Sequence, residues 1–95
     1  MEKMTFLMRA NKQIELALKN RCNESNVLDM RIYRHPYKQE DYNIFSIDQL
    51  DDAYEFVRNS PEWTLDIYEN YAGEDYAEST DYSVIRTRES DSEMY

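Results

Sequence analysis

The sequence predicts an α+β domain in which two helices accompany a small, mostly antiparallel sheet, in the order α-β-β-α-β-β. Three observations carry that expectation. Apolar residues near the start recur at three- and four-residue steps, the mark of a one-sided helix. Three later stretches alternate apolar and polar residues with period two, the mark of half-buried strands. Turn and cap signals separate these segments at short intervals, so neighbouring strands are close enough to pair as hairpins.

The first helix is expected over residues 5–22. Phe6 or Leu7, Ala10, Ile14, Ala17, Leu18 and Cys22 fall on one face, while Arg9, Lys12, Lys19 and Arg21 decorate the rest. Lys19 and Arg21 lie in what would be the last turn, where cations suit the helix dipole. The run Asn23-Glu24-Ser25-Asn26 marks the end. A strand follows over residues 27–34, with Leu28, Met30 and Ile32 on one side and Asp29, Arg31 and Tyr33 on the other. His35-Pro36 breaks it, because proline cannot donate to a ladder and restricts the residue before it. A second short strand, Tyr42 to Phe45, is placed to pair with it across the polar loop from Tyr37 to Asp41.

Ser46-Ile47-Asp48-Gln49 has the spacing of a capping box, serine at the N-cap and glutamine three residues on. The helix after it puts Leu50, Ala53, Tyr54 and Val57 on one face and Asp48, Asp51, Asp52 and Glu55 on the other. Asn59-Ser60-Pro61 ends it. The next stretch reads two ways: Ser60-Pro61-Glu62 is a helix-start signal, whereas Trp63, Leu65 and Ile67 alternate with Thr64, Asp66 and Tyr68 as in a strand. The strand is favoured, with Thr64, Asp66 and Tyr68 facing outward. Asn70 to Asp81, with the single glycine, reads as a loop; Tyr82 to Arg88 reads as the last strand; Glu89 to Tyr95 reads as a frayed acidic tail. A single domain over 1–88 is expected.

Charge organises the chain as strongly as periodicity does. The formal net charge of the 95 residues is −9. Residues 1–38 hold eight Lys/Arg against four Asp/Glu, and residues 39–95 hold three against sixteen. From Asp48 to Asp81 there are eleven carboxylates and one basic residue, Arg58. Disordered acidic tails lack aromatic and aliphatic residues; this stretch contains Leu50, Phe56, Val57, Trp63, Leu65, Ile67 and four tyrosines, so its charge is mounted on a folded scaffold. Such a surface repels nucleic acid and anionic membranes and attracts basic proteins. A charged, solvated face of an ordinary domain is the plain alternative.

Other chemistry has little support. Cys22 and His35 are single residues of their type in different elements, which provides neither a disulfide nor the paired spacing of a zinc site. Nothing in the sequence predicts a Cys–His nucleophile pair. One glycine cannot build a phosphate-cradling loop, and Glu69 to Asp75 lacks the alternating ligands of a calcium-binding loop. No enzyme activity, metal or cofactor is expected. A start interrupted by charges and the absence of a long apolar run point to the cytoplasm.

Two segments carry a resemblance. Asp48-x-x-Asp51-Asp52-x-x-Glu55, together with the run from Asp66 through Tyr68, Glu69, Tyr71, Glu74, Asp75 and Tyr76 to Glu78, is similar in composition and charge pattern to the small phage-encoded DNA-mimic inhibitors. These are the antirestriction proteins such as Ocr and Arn, and some anti-CRISPR proteins. The likeness covers roughly the C-terminal half and rests on no fixed motif. It implies an inhibitor that occupies the DNA-binding surface of a nuclease or other defence enzyme in a bacterial host, often as a dimer. On that reading Asp48, Asp51, Asp52, Glu55, Asp66, Glu69, Glu74, Asp75, Glu78 and Asp81 replace phosphates, and Tyr68, Tyr71 and Tyr76 are packing anchors. The alternative is a regulatory module, of antitoxin or transcription-modulator type, that docks a basic protein without imitating DNA. The basic N-terminal part departs from an all-acidic mimic.

Overall fold

The computed structural model describes residues 2–35, 38, 40–70 and 83–92. Their elements are α1 (Lys3–Lys19), β1 (Val27–Tyr33), β2 (Tyr42–Ser46), α2 (Leu50–Val57), β3 (Glu62–Asn70) and β4 (Ser83–Ser92). The four strands form one sheet in the spatial order β2-β1-β3-β4, and every pairing is antiparallel. The α+β class therefore holds. Both helices lie on the same side of the sheet, so the described residues form a two-layer sandwich, and none of their other elements covers the opposite, open face.

The core fills the space between the layers. From the sheet it takes Leu28, Met30, Ile32, Phe45, Trp63, Leu65 and Ile67, and from the helices Phe6, Ala10, Ile14, Ala17, Ala53 and Val57. The alternation of β1 translates directly into this arrangement, with Leu28, Met30 and Ile32 buried and the residues between them half exposed. Phe6 joins three elements, its ring centroid lying 5.5 Å from that of Trp63 on β3 and 5.9 Å from that of Tyr54 on α2. Phe45 and Phe56 tie β2 to α2 at 5.8 Å.

Several boundaries differ from those the pattern predicts. Helix α1 stops at Lys19, so Arg21 and Cys22 lie beyond it, and Leu18 and Cys22 are exposed. Gln13 takes a place on the buried side because the Glu89 carboxylate of β4 accepts from its amide at 3.4 Å. Helix α2 starts at Leu50, four residues after Ser46, so the predicted capping box closes a turn. One half of the box forms: Gln49 Oε1 accepts from the Ser46 N–H at 2.9 Å. The ambiguous stretch after Pro61 is strand β3, because it is held between β1 and β4 along its length.

Strand β4 continues to Ser92, where the pattern predicts an end at Arg88 and a free tail. Glu89 and Asp91 belong to the strand because Arg9 reaches both, at 3.0 and 3.2 Å. A bulge interrupts the β3–β4 pairing: Thr87 faces Ile67 and Ile85 faces Tyr68, so Arg86 is the extra residue in the register between them. The extra residue upsets the predicted alternation. Arg86 and Thr87 both turn toward the helices, Thr87 Oγ1 donating to the Gln13 carbonyl at 3.4 Å.

Candidate functional site

The ten carboxylates expected to form one binding surface fall into three groups. Asp48, Asp51, Asp52 and Glu55 lie on the turn before α2 and on its outer side, and all four are exposed. Asp66 and Glu69 are on β3 and are 1% and 0% exposed. Glu74, Asp75, Glu78 and Asp81, with Tyr71 and Tyr76, lie outside the described residues.

Helix geometry explains the first group. Within α2, steps of four and three residues bring Asp51 and Asp52 beside Glu55, about 5–6 Å away at their Cβ atoms, and Asp48 stands on the turn just before the helix. The opposite side holds Ala53 and Val57 in the core, which fixes the direction of the acidic ridge. Asp51 and Asp52 also sit in the first turn, where the helix dipole favours them. Two exposed cations touch the ridge, Lys3 at 3.1 Å from Asp51 and Arg58 at 3.4 Å from Glu55. Pairs this exposed are weak and leave the carboxylates available.

The second group does different work, and for Asp66 and Glu69 the expected place on a displayed surface is corrected. Asp66 does point away from the helices, but Arg88 covers it with a two-pronged contact, Nε to Oδ1 at 2.7 Å and Nη2 to Oδ2 at 3.0 Å. This fork-to-fork geometry is the strong form of the Arg–carboxylate pair, and Asp66 in turn holds the Arg88 guanidinium above its ordinary range. Glu69 is on the helix side, where the α1–β1 connection closes over it. The Cys22 N–H donates to both its oxygens, at 3.0 and 2.9 Å, and the Asn23 N–H to one at 3.3 Å. The Asn26 side chain donates as well, and the Arg86 guanidinium stands 3.0 Å away. Burial by itself would raise the Glu69 pKa. The Asn26 amide, the two backbone donors and the Arg86 charge outweigh it, and the carboxyl is held below its ordinary value.

Tyr68 joins a part of the molecule that sequence reasoning did not select. The open face of the sheet is crossed by three rows of paired residues: Ser46, Asp29, Tyr68 and Ile85; Ile44, Arg31, Asp66 and Arg88; Tyr42, Tyr33, Thr64 and Ser90. Arg31 lies over two rings, 4.5 Å from the Tyr68 centroid and 5.3 Å from that of Tyr42. Tyr33 and Tyr42 pack at 5.3 Å. Hydrogen bonding to Tyr33, together with the neighbouring phenols, raises the Arg31 pKa against its burial, so the guanidinium remains charged. Burial, and then Tyr33, raise that of Tyr68, which keeps its phenol neutral. The signal was present in β1, whose second set of alternating positions, Asp29, Arg31 and Tyr33, is too rich in aromatic and guanidinium groups for a merely wetted face.

Among the described residues no three His, Cys, Asp or Glu side chains come together as metal ligands. None of their helices is long and apolar enough to cross a membrane. No protein-family model matches the chain, no curated protein matches it, and no solved structure matches its fold. The class defined by fold and site is a two-layer α+β domain with one exposed acidic helix and one open, aromatic sheet face.

Proposed function

We propose that the chain is a binding protein, not an enzyme, that uses its acidic surface to occupy the DNA-binding surface of another protein, acting as a DNA mimic. A bacterial nuclease or other defence enzyme in the cytoplasm is the intended target. The observation that carries this reading is the ridge Asp48, Asp51, Asp52 and Glu55, which is exposed and, among the described residues, meets only the exposed cations Lys3 and Arg58 as ion partners. Four arginines are engaged elsewhere. Arg9, Arg34, Arg86 and Arg88 are engaged by Glu89, Asp91, Asp41, Glu69 and Asp66. Those four cations are thereby held away from the ridge, whose carboxylates keep their charge for a partner. Such a field steers basic partners from a distance and weakens with salt.

One observation favours the second reading, a module that docks a basic protein without imitating DNA. The helical part of the ridge runs from residue 51 to residue 55, about 6 Å of helix, which spans only about two phosphate steps of one strand. Competition separates the two. The protein is immobilised, exposed to a bacterial lysate and eluted with duplex DNA or with salt, beside a variant carrying Asp48→Asn, Asp51→Asn, Asp52→Asn and Glu55→Gln. A mimic releases a DNA-binding protein to both eluants, and the variant retains at least about tenfold less. Partners that resist DNA but yield to salt favour the second reading; equal binding by the variant overturns both.

A further inference from the structure

Backbone groups on both outer strands are engaged by side chains. Asn43 Oδ1 accepts from the Ile44 N–H on β2 at 3.2 Å. On β4 the Glu89 carboxylate accepts from the Ser90 N–H at 3.2 Å, and Arg9 donates to the Ser90 carbonyl at 2.7 Å. Cover of this kind blunts pairing with a further strand. The open face has no such protection, and no described element lies over it. Val27, Tyr42, Ile44 and Ile85 are 56, 41, 52 and 44% exposed there.

We propose that this face is where two copies of the chain pack, sheet against sheet, about a twofold axis. Three observations choose a second copy. The first is charge. Across the three rows the formal charges are Asp29 and Asp66 against Arg31 and Arg88, which cancel; Glu62 stands at the end of the face. Two chains of −9 repel one another overall, a repulsion this neutral face does not add to, and a basic partner is drawn to α2 instead. The second is size. Strands of seven, five, nine and ten residues, about 4.8 Å apart and rising about 3.3 Å per residue, present about 500 Å² of flat face, so two copies bury about 1,000 Å², the level that separates specific interfaces from chance contacts. The third is composition, since Tyr33, Tyr42, Tyr68 and Arg31 are the residue types enriched at interface centres. The packing leaves α2 of each copy on the outside, with both acidic ridges free.

Sedimentation equilibrium of the whole chain, at low and at high salt, tests the proposal. A dimer is expected at a protein concentration of about 100 µM, and salt should tighten it by screening the repulsion between like-charged copies. Ile44→Asp and, on the far strand, Ile85→Asp should each weaken it at least about tenfold by confining an unpaired charge, with circular dichroism confirming that the monomer stays folded. Met8→Asp, on the 69% exposed outer side of α1, should leave it intact. Three results overturn the proposal: a monomer under every condition, a dimer that salt dissociates, or a dimer lost with Met8→Asp and kept with both isoleucine variants.

Discussion

The carboxylates of β3 and those of α2 look alike in the sequence and live in opposite surroundings. Glu69 is closed off from water and satisfied by donors from two other segments. Asp52, in the first turn of α2, stands in solvent with its neighbours on the ridge. A buried carboxylate with a full set of donors holds parts of the chain together, and removing it strands those donors. An exposed one contributes little to folding and leaves its charge for a partner. Burial therefore divides the acidic residues into those that make the fold and those that can serve a function.

The largest effect expected from this contrast is on folding. Glu69→Ala leaves the Arg86 guanidinium and the Cys22, Asn23 and Asn26 donors without their shared acceptor. Breaking a buried pair from one side costs about 3–5 kcal/mol, a large part of the roughly 5–15 kcal/mol that a domain has. Urea denaturation of the variant should show it; a loss no greater than that of an exposed substitution would mean that the connection after α1 does not depend on this carboxylate.

The same residue sets an acid limit. Because the folded-state pKa of Glu69 lies below its ordinary value of 4.5, its contribution is fully present above that value. It declines as the pH falls below 4.5 toward the folded-state pKa, where the folded protein too takes up the proton. The isosteric Glu69→Gln should be less stable at neutral pH and should lose less on acidification over that window. Equal acid sensitivity of the two proteins would assign acid unfolding to other groups.

Asp66→Asn is the intermediate case. Arg88 keeps 60% of its side chain in water, so its charge is not stranded when the pair is broken. Asparagine also retains one oxygen for the guanidinium. A loss of about 1–2 kcal/mol is expected, clearly smaller than that of Glu69→Ala. A loss as large would show that burial of the carboxylate alone governs the cost.

Much of this contrast lay beyond the sequence, for identifiable reasons. The strand β1 and the inner faces of both helices were legible because their apolar residues repeat at local spacing. The carboxylates of α2 were legible for the same reason, their exposure following from the burial of Ala53 and Val57 opposite. Glu69 was not, since its donors come from the segment after α1 and from the bulge in β4. The strand beyond Arg88 was equally hidden: Glu89-Ser90-Asp91-Ser92 has a polar pattern of its own, and Arg9, about eighty residues away, makes it strand. The open face was half legible. β1 declared Arg31 and Tyr33, but the rows that unite them with Tyr42, Tyr68 and Arg88 exist only through register.

The smallest effect on folding should come with the largest effect on binding. Neutralising Asp48, Asp51, Asp52 and Glu55 together removes two weak exposed ion pairs and the favourable placement of Asp51 and Asp52 in the first turn. It also relieves the mutual repulsion of four neighbouring charges. These contributions oppose one another, and the thermal midpoint should move by no more than about 3 °C. Association with a basic partner should weaken and lose much of its salt dependence, because the charges that steer it are gone. A calorimetric scan and a binding titration at two salt concentrations on the same sample read both quantities. If the midpoint falls as far as it does for Glu69→Ala, the α2 carboxylates belong to the fold after all, and the division by burial fails where it matters most.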